Sequence, residues 1–105
     1  ATIEIDKGYP ITFNHLELTS QMLPTLQRIA SKENVLEIDA ITGAEDFSFF
    51  QQKIPGLYFF LGGKALDVKP EEAAGHHTPD FILDESGFVM GGKTLSALAL
   101  DYLEQ

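Results

Sequence analysis

Two short groups of residues in this 105-residue sequence carry side chains capable of chemistry. The first is His76-His77, which follows Gly75 and precedes Thr78-Pro79. Imidazole nitrogens commonly bind zinc, and Pro79 favours an extended conformation at Thr78, which stiffens the loop just after the histidines. Because adjacent side chains rarely aim at one point, the pair offers one metal ligand more readily than two. On the residues alone, two solvated loop histidines remain the alternative.

The second group is the acidic pair Glu45-Asp46, which comes soon after a predicted strand and near the start of a predicted helix. In α/β proteins, ligands usually bind at this edge of the sheet. The pair therefore suits a substrate contact, a partner of a metal-bound histidine, or a general base. The alternative is structural, because carboxylates in the first turn of a helix cap it and favour its dipole. Both interpretations stay open on the residues alone.

The elements that must position these groups follow from the hydrophobic pattern. Strand patterns cover residues 2–6, 35–41 and 57–61. Helical patterns run from Thr19 or Ser20 to about Ser31, from Thr42 or Gly43 to Ile54, and from Asp84 onward. The predicted core face of the first helix is Met22, Leu26 and Ile29, and that of the last is Phe88, Gly92, Leu95, Ala99 and Tyr102.

The order β-α-β-α-β-α predicts an α/β fold with helices packed on a sheet, most simply one layer on each face. The third strand pattern, Leu57–Leu61, is apolar on both sides and suits the interior of a wider sheet. We therefore expect the sheet in this chain to be incomplete.

Composition excludes several classes of function. Sixteen acidic and seven basic residues give a net charge of −9, which disfavours a nucleic acid as partner. The absence of cysteine excludes disulfides and thiolate metal sites. The longest apolar run has five residues, against the roughly 20 needed to span a membrane. No export signal is visible, so we expect a cytoplasmic protein, and because the chain starts at Ala1 we expect its true N-terminus to be missing.

Four motifs in order resemble the C-terminal part of a known enzyme family. They are TGAEDFSFF (42–50), PGLYFFLG (55–62), HHTPDF (76–81) and Asp84-Glu85 before the last helix. The family is that of the metal-dependent amidohydrolases, including hippurate hydrolases, N-acyl-amino-acid hydrolases and auxin-conjugate hydrolases, relatives of aminoacylase and carboxypeptidase G. Residues 8–14 also resemble the passage out of that family's small lid domain.

The resemblance implies a two-domain enzyme, in which an α/β/α sandwich catalytic domain of a zinc-peptidase type is interrupted by a lid that often dimerises. Residues 1–13 would be the last strand and exit of the lid domain. Residues 14–105 would be the C-terminal section of the catalytic domain.

The same resemblance implies roles for individual residues. His77, directly before Thr78, would be a metal ligand, and His76 would have no role beyond a substrate contact. Glu45, Asp46 and Gly43 would contact the substrate or support the metal ligands. The general-base glutamate and the other ligands would lie upstream, so this chain would contain no catalytic residue of its own.

The implied activity is hydrolysis of the amide bond of N-acyl amino acids or small peptides, with two divalent metal ions, zinc first and manganese as the alternative. The chain alone is expected to be inactive and metal-free or weakly binding. Its partners would be the substrate, the rest of the same polypeptide and a second copy of itself, because an incomplete sheet exposes apolar surface. The competing hypothesis is a self-contained acidic α/β binding or interaction module without catalysis.

Overall fold

The structure, a computed structural model, describes residues 1–6 and 8–104; Lys7 and Gln105, which fall in the predicted segments 1–13 and 14–105, lie outside the described residues. The chain divides into two compact units, Ala1–Phe59 and Phe60–Gln105. The first unit contains helices α1 (Leu16–Ala30) and α2 (Phe47–Gln51), and the second contains α3 (Phe88–Leu103). Short 3₁₀ helices occupy Lys32–Asn34, Pro70–Glu72 and Glu85–Gly87.

Helix α1 begins at Leu16, three residues before the predicted start, because His15 caps it. The His15 Nδ1 atom accepts a hydrogen bond from the Leu18 amide at 3.4 Å, and the Thr19 hydroxyl donates to the His15 carbonyl at 2.8 Å. With the helix starting at Leu16, Pro24 lies inside it rather than in its first turn.

The predicted core face of α1 is confirmed. Met22 and Leu26 are buried and Ile29 is half-buried, as their spacing at three and four residues requires. Thr25, between them, is also buried. Helix α1 thus supplies both of the large apolar side chains that are buried among the described residues.

In the second unit, Asp84 caps a 3₁₀ turn as its position predicted, but α3 itself begins only at Phe88, and its buried face differs from the predicted one. The Asp84 carboxylate accepts from the Ser86 amide at 2.9 Å and opens the 3₁₀ turn that leads into the helix. Thr94 is buried, whereas the predicted core residues are exposed, among them Phe88, Leu95 and Tyr102, each half exposed or more. Gly91, not Gly92, makes the close approach: a Cβ there would lie 2.9 Å from Leu61 Cδ2.

The predicted β-α-β-α-β-α fold, as an incomplete α/β/α sandwich, is wrong for this structure, since the described residues contain helices but no strand. Strands are stabilised by hydrogen bonds to a neighbouring strand, and the three strand-like segments find none. Ile3 and Ile5, predicted to be half-buried, are about four-fifths exposed. At Tyr58 the backbone bonds are instead taken by a side chain, that of Asn14.

In the part of the chain that the structure describes, no helix has both the length and the apolar character needed to cross a membrane.

Candidate functional site

The loop that carries His76 and His77, residues 75–81, lies in the second unit and is held by two turns. The Thr78 hydroxyl donates to the Gly75 carbonyl at 2.7 Å, which closes the turn containing both histidines. The Phe81 amide then donates to the Thr78 carbonyl at 3.2 Å. Residues 75–81 are therefore irregular but locally ordered.

The two histidines have different surroundings. The His76 ring lies 4.7 Å from the Phe81 ring, tilted by 33°. His77 is exposed and has a φ of 63°, in the left-handed region that few residues other than glycine adopt. Its ring centre is 6.5 Å from that of His76. One imidazole is thus packed against an aromatic ring, while the other stands on a strained turn residue.

Glu45 lies in the first unit, and its carboxylate accepts hydrogen bonds through both oxygens. Oε1 accepts from the Phe47 amide at 3.1 Å, and Oε2 accepts from the Tyr58 hydroxyl at 2.9 Å. The first bond pairs the leading amide of α2, so Glu45 supports the start of this helix from just outside its first turn. The second bond raises the pKa of Tyr58 above its usual 10.0, with partial burial and the charge of Glu45 adding to the effect.

Asp46 is the exposed member of the pair and interacts with a second tyrosine, Tyr9. A hydrogen bond from the Tyr9 hydroxyl to Asp46, together with the charge of that carboxylate, raises the pKa of Tyr9. The Tyr9 ring also packs edge-on against Phe49, with centroids 5.5 Å apart. The Tyr58 hydroxyl thus orients the Glu45 carboxylate, while Asp46 lies close enough to Tyr9 to raise its pKa.

Gly43 is exposed, and a Cβ added there would meet nothing within 4 Å. Its backbone does not have the positive φ that makes glycine necessary. Nothing within the first unit requires a glycine at this position.

The predicted site residues fall in different units: Gly43, Glu45 and Asp46 in the first, His76 and His77 in the second. Within residues 1–6 and 8–104, no three histidine, aspartate or glutamate side chains group together closely enough to hold a metal ion. An exposed imidazole on an ordered turn suits a metal ligand, but the turn that carries His76 and His77 does not by itself complete a metal site among the described residues.

A cavity of about 570 Å³ opens in the first unit between residues 10–15 and 48–56. His15, Gln51 and Lys53 are among its polar lining residues. The Gln51 side chain accepts from the Phe13 amide at 3.0 Å through Oε1. None of the predicted site residues lines this cavity.

Three residues next to the acidic pair were missed by the sequence analysis. Tyr9 and Asn14 were placed only in the segment 8–14 that resembles the exit from a lid domain, and Tyr58 only in a strand pattern. Their partners lie 37, 44 and 13 residues away for Tyr9, Asn14 and Tyr58 respectively. Pairings at such separations leave no local pattern in the sequence, so composition and periodicity carried no signal for them.

Comparison with known proteins finds a matching family model and several relatives that are named as hydrolases or peptidases. The model of "Peptidase family M20/M25/M40" matches residues 1–101. Thermostable carboxypeptidase 2 of Saccharolobus solfataricus is 37% identical over 105 aligned positions that cover 97% of this chain. Putative amidohydrolase YhaA of Bacillus subtilis is 30% identical over 92% of the chain, and IAA-amino acid hydrolase ILR1-like 2 of Arabidopsis thaliana is 27% identical over 91%.

The chain spans about a quarter of the length of these relatives, 25% of the carboxypeptidase, 24% of the amidohydrolase and 21% of the plant hydrolase. No solved structure matches it significantly. The resemblance to amidohydrolases that the motifs indicated is confirmed. A family model that covers 101 of 105 residues leaves little of the chain unmatched, and we conclude that this chain belongs to peptidase family M20/M25/M40.

Proposed function

We propose that this chain is part of a hydrolase that cleaves the amide bond of N-acyl amino acids or small peptides. The observation that carries the proposal is the family match over residues 1–101. The names of the relatives support the substrate class, since they describe an amidohydrolase, a carboxypeptidase and a hydrolase of an amino acid conjugate. All three names describe hydrolysis, of an amide, a peptide or an amino acid conjugate respectively.

His77 is the metal ligand in this proposal. Its exposed imidazole stands on a turn closed by the Thr78 hydroxyl, which fixes the backbone beneath it. His76 packs against Phe81 and would contact the substrate at most. This division of roles agrees with the different surroundings of the two rings.

Asp46 is the member of the acidic pair that faces the substrate or supports a metal-bound histidine. It is exposed, and its carboxylate raises the pKa of the nearby Tyr9 hydroxyl. Both carboxylate oxygens of Glu45 instead accept hydrogen bonds within the first unit, from the Phe47 amide and the Tyr58 hydroxyl, and these bonds hold the pair in place. Gly43, where a side chain would meet nothing, leaves open space beside the pair.

The cofactor would be two divalent ions, zinc in the first instance and manganese as the alternative. When bound, such ions activate water and polarise a carbonyl. The described residues provide one ligand, His77, so the remaining ligands and the general base would come from other parts of the polypeptide. The isolated chain would therefore bind metal weakly and would not turn over substrate.

The rest of the polypeptide would be the first partner of this chain, with residues 1–13 at the exit of a lid and residues 14–105 in the catalytic domain. Large apolar side chains are exposed in both units, for example Ile11 and Phe13 in the first and Leu66 and Leu103 in the second. Surface of this kind favours association, so in isolation the chain would also form homo-oligomers. The complete protein would act in the cytoplasm on small substrates, without nucleic acid or membrane.

The test compares the complete gene product with the 105-residue chain. Both are assayed for hydrolysis of a panel of N-acyl amino acids and dipeptides, and both are analysed for bound metal by elemental analysis. We expect turnover and close to two metal ions per chain in the complete product, and neither in the short chain. Absence of hydrolysis in a metal-loaded complete product would overturn the proposal and favour a binding module without catalysis.

A further inference from the structure

The side chain of Asn14 pairs with the backbone of Tyr58 through two hydrogen bonds. Its Nδ2 group donates to the Tyr58 carbonyl at 2.8 Å, and its Oδ1 atom accepts from the Tyr58 amide at 2.7 Å. A side-chain amide has the same donor and acceptor as a peptide group, so it takes the place of a neighbouring strand. The next residue adds a third bond, from the His15 amide to the Gly56 carbonyl at 3.0 Å.

The Tyr58 side chain extends from this fixed backbone to the acidic pair. Its ring lies 5.9 Å from that of Phe47, and its hydroxyl donates to Glu45 Oε2 at 2.9 Å. Glu45 is also held through its carbonyl oxygen, which accepts from the amide and the hydroxyl of Ser48 at 3.1 and 2.6 Å. Ser48 is completely buried, so these bonds are shielded from competing water.

We infer that Asn14 is a positioning residue for the acidic pair Glu45-Asp46, acting through the backbone and hydroxyl of Tyr58. The series Asn14, Tyr58, Glu45 fixes the peptide that leads into Asp46, whose carboxylate is the exposed one. The inference rests on the proposed function, because it matters for turnover only if this pair contacts substrate or supports a metal ligand.

The chemistry of the amide explains why asparagine stands at this position. Asparagine and glutamine carry a donor and an acceptor side by side on one planar amide, as a peptide group does, and asparagine does so on the shorter side chain that fits here. Aspartate has the same shape but no donor, and it turns a carboxylate oxygen toward the Tyr58 carbonyl. Asn14→Asp therefore removes one bond and makes that contact repulsive with almost no change in volume.

The test is a double-mutant cycle in the complete gene product, with Asn14→Asp, Tyr58→Phe and the double variant. Each single variant should lower kcat by about tenfold, because small displacements of a positioned group reduce turnover more than binding. KM and metal content should change little. The double variant should be no slower than the slower single variant, since both act through one series of bonds.

Asn34→Asp is the matched control. The Asn34 amide also donates to a backbone carbonyl, that of Ala30 at 2.8 Å, but it has no bond to the acidic pair. Its kcat should equal that of the wild type. Should Asn14→Asp fail to yield folded protein by circular dichroism, Asn14→Gln, which keeps both groups on a longer side chain, should show the same direction of effect.

The outcomes separate this inference from the proposed function. Unchanged kcat in Asn14→Asp, or effects of the two single variants that multiply in the double variant, would overturn the positioning role. Asp46→Asn tests the proposed role of the pair itself and should lower turnover. A slow Asp46→Asn beside a normal Asn14→Asp refutes only the positioning role, whereas a normal Asp46→Asn refutes the role of the pair.

Discussion

His77 allows the contribution of its imidazole to be separated from that of its backbone, because the residue has a φ of 63°. A residue other than glycine in the left-handed region costs about 1–2 kcal/mol. Glycine removes this cost but loses about 0.5–1 kcal/mol through its greater freedom in the unfolded chain. His77→Gly should therefore leave the turn as stable as the wild type or more stable by about 1 kcal/mol.

Asparagine adopts this conformation more readily than most residues, and alanine has no such advantage. The variants His77→Gly, His77→Asn and His77→Ala thus differ in backbone preference while all lack the imidazole. If the imidazole binds metal, all three should lose metal equally and kcat/KM should fall by at least about a hundredfold, the upper range for groups that only support a ligand. In the presence of a chelator, His77→Gly should have a higher melting temperature than His77→Ala.

The assay uses the complete gene product, with metal measured by elemental analysis and turnover measured on an N-acyl amino acid. His76→Asn is the control, since that ring packs on Phe81 and should not be needed for metal binding. Retention of metal and turnover in His77→Gly and His77→Asn, with loss only in His77→Ala, would refute the reasoning. Such a result would mean that position 77 serves the turn and not the metal.

Three further predictions concern stability. The hydrogen bond from the Ser86 amide lowers the pKa of the Asp84 carboxyl below its usual 3.8. The stabilisation that Asp84 contributes is therefore complete above pH 3.8 and is lost as the pH falls through its lower pKa in the folded chain. Hydrogen exchange at the start of α3 should show this loss, and Asp84→Asn should abolish the pH dependence. Gly92→Ala should stabilise α3 by up to about 1 kcal/mol, whereas Gly91→Ala should gain less because its Cβ meets Leu61, as circular dichroism melts of the two variants would reveal. Leu26→Ala should cost about 2–3 kcal/mol in denaturant titrations, and a smaller loss than 1 kcal/mol would show that α1 does not form the core of its unit.

The sequence predicted those features that depend on neighbours along the chain. The core face of α1 follows from spacing alone, and the Asp84-Glu85-Ser86 start of the last helix follows from capping chemistry. The start of α1 was misplaced because histidine is an unusual cap, and the bond from the Leu18 amide to His15 Nδ1 has no common sequence signature. Local rules therefore located the helices but not all of their ends.

Features that depend on distant partners were not predictable in the same way. A strand pattern such as Leu57–Leu61 states a preference, and a strand forms only where another strand is available to pair with it. Which face of α3 is buried likewise depends on what packs against it, and here Thr94 is buried in place of Leu95. The family motifs indicated the family because their residues are constrained by the fold of the complete polypeptide. This chain covers a quarter of that length and does not form the predicted sheet on its own.

The acidic pair shows how a structural and a functional interpretation can both hold for adjacent residues. Glu45 caps α2 and accepts the Tyr58 hydroxyl, so its carboxylate is used within the unit. This anchoring fixes the peptide that carries Asp46, whose carboxylate is exposed at the surface beside Tyr9 and raises the pKa of that tyrosine. A capping residue beside an exposed acid is therefore a means of presenting that acid in one orientation. The order Glu-Asp matters for this reason: exchanging the two, as Glu45→Asp with Asp46→Glu, should shorten the reach to Tyr58 and loosen both carboxylates, although the charge of the pair is unchanged.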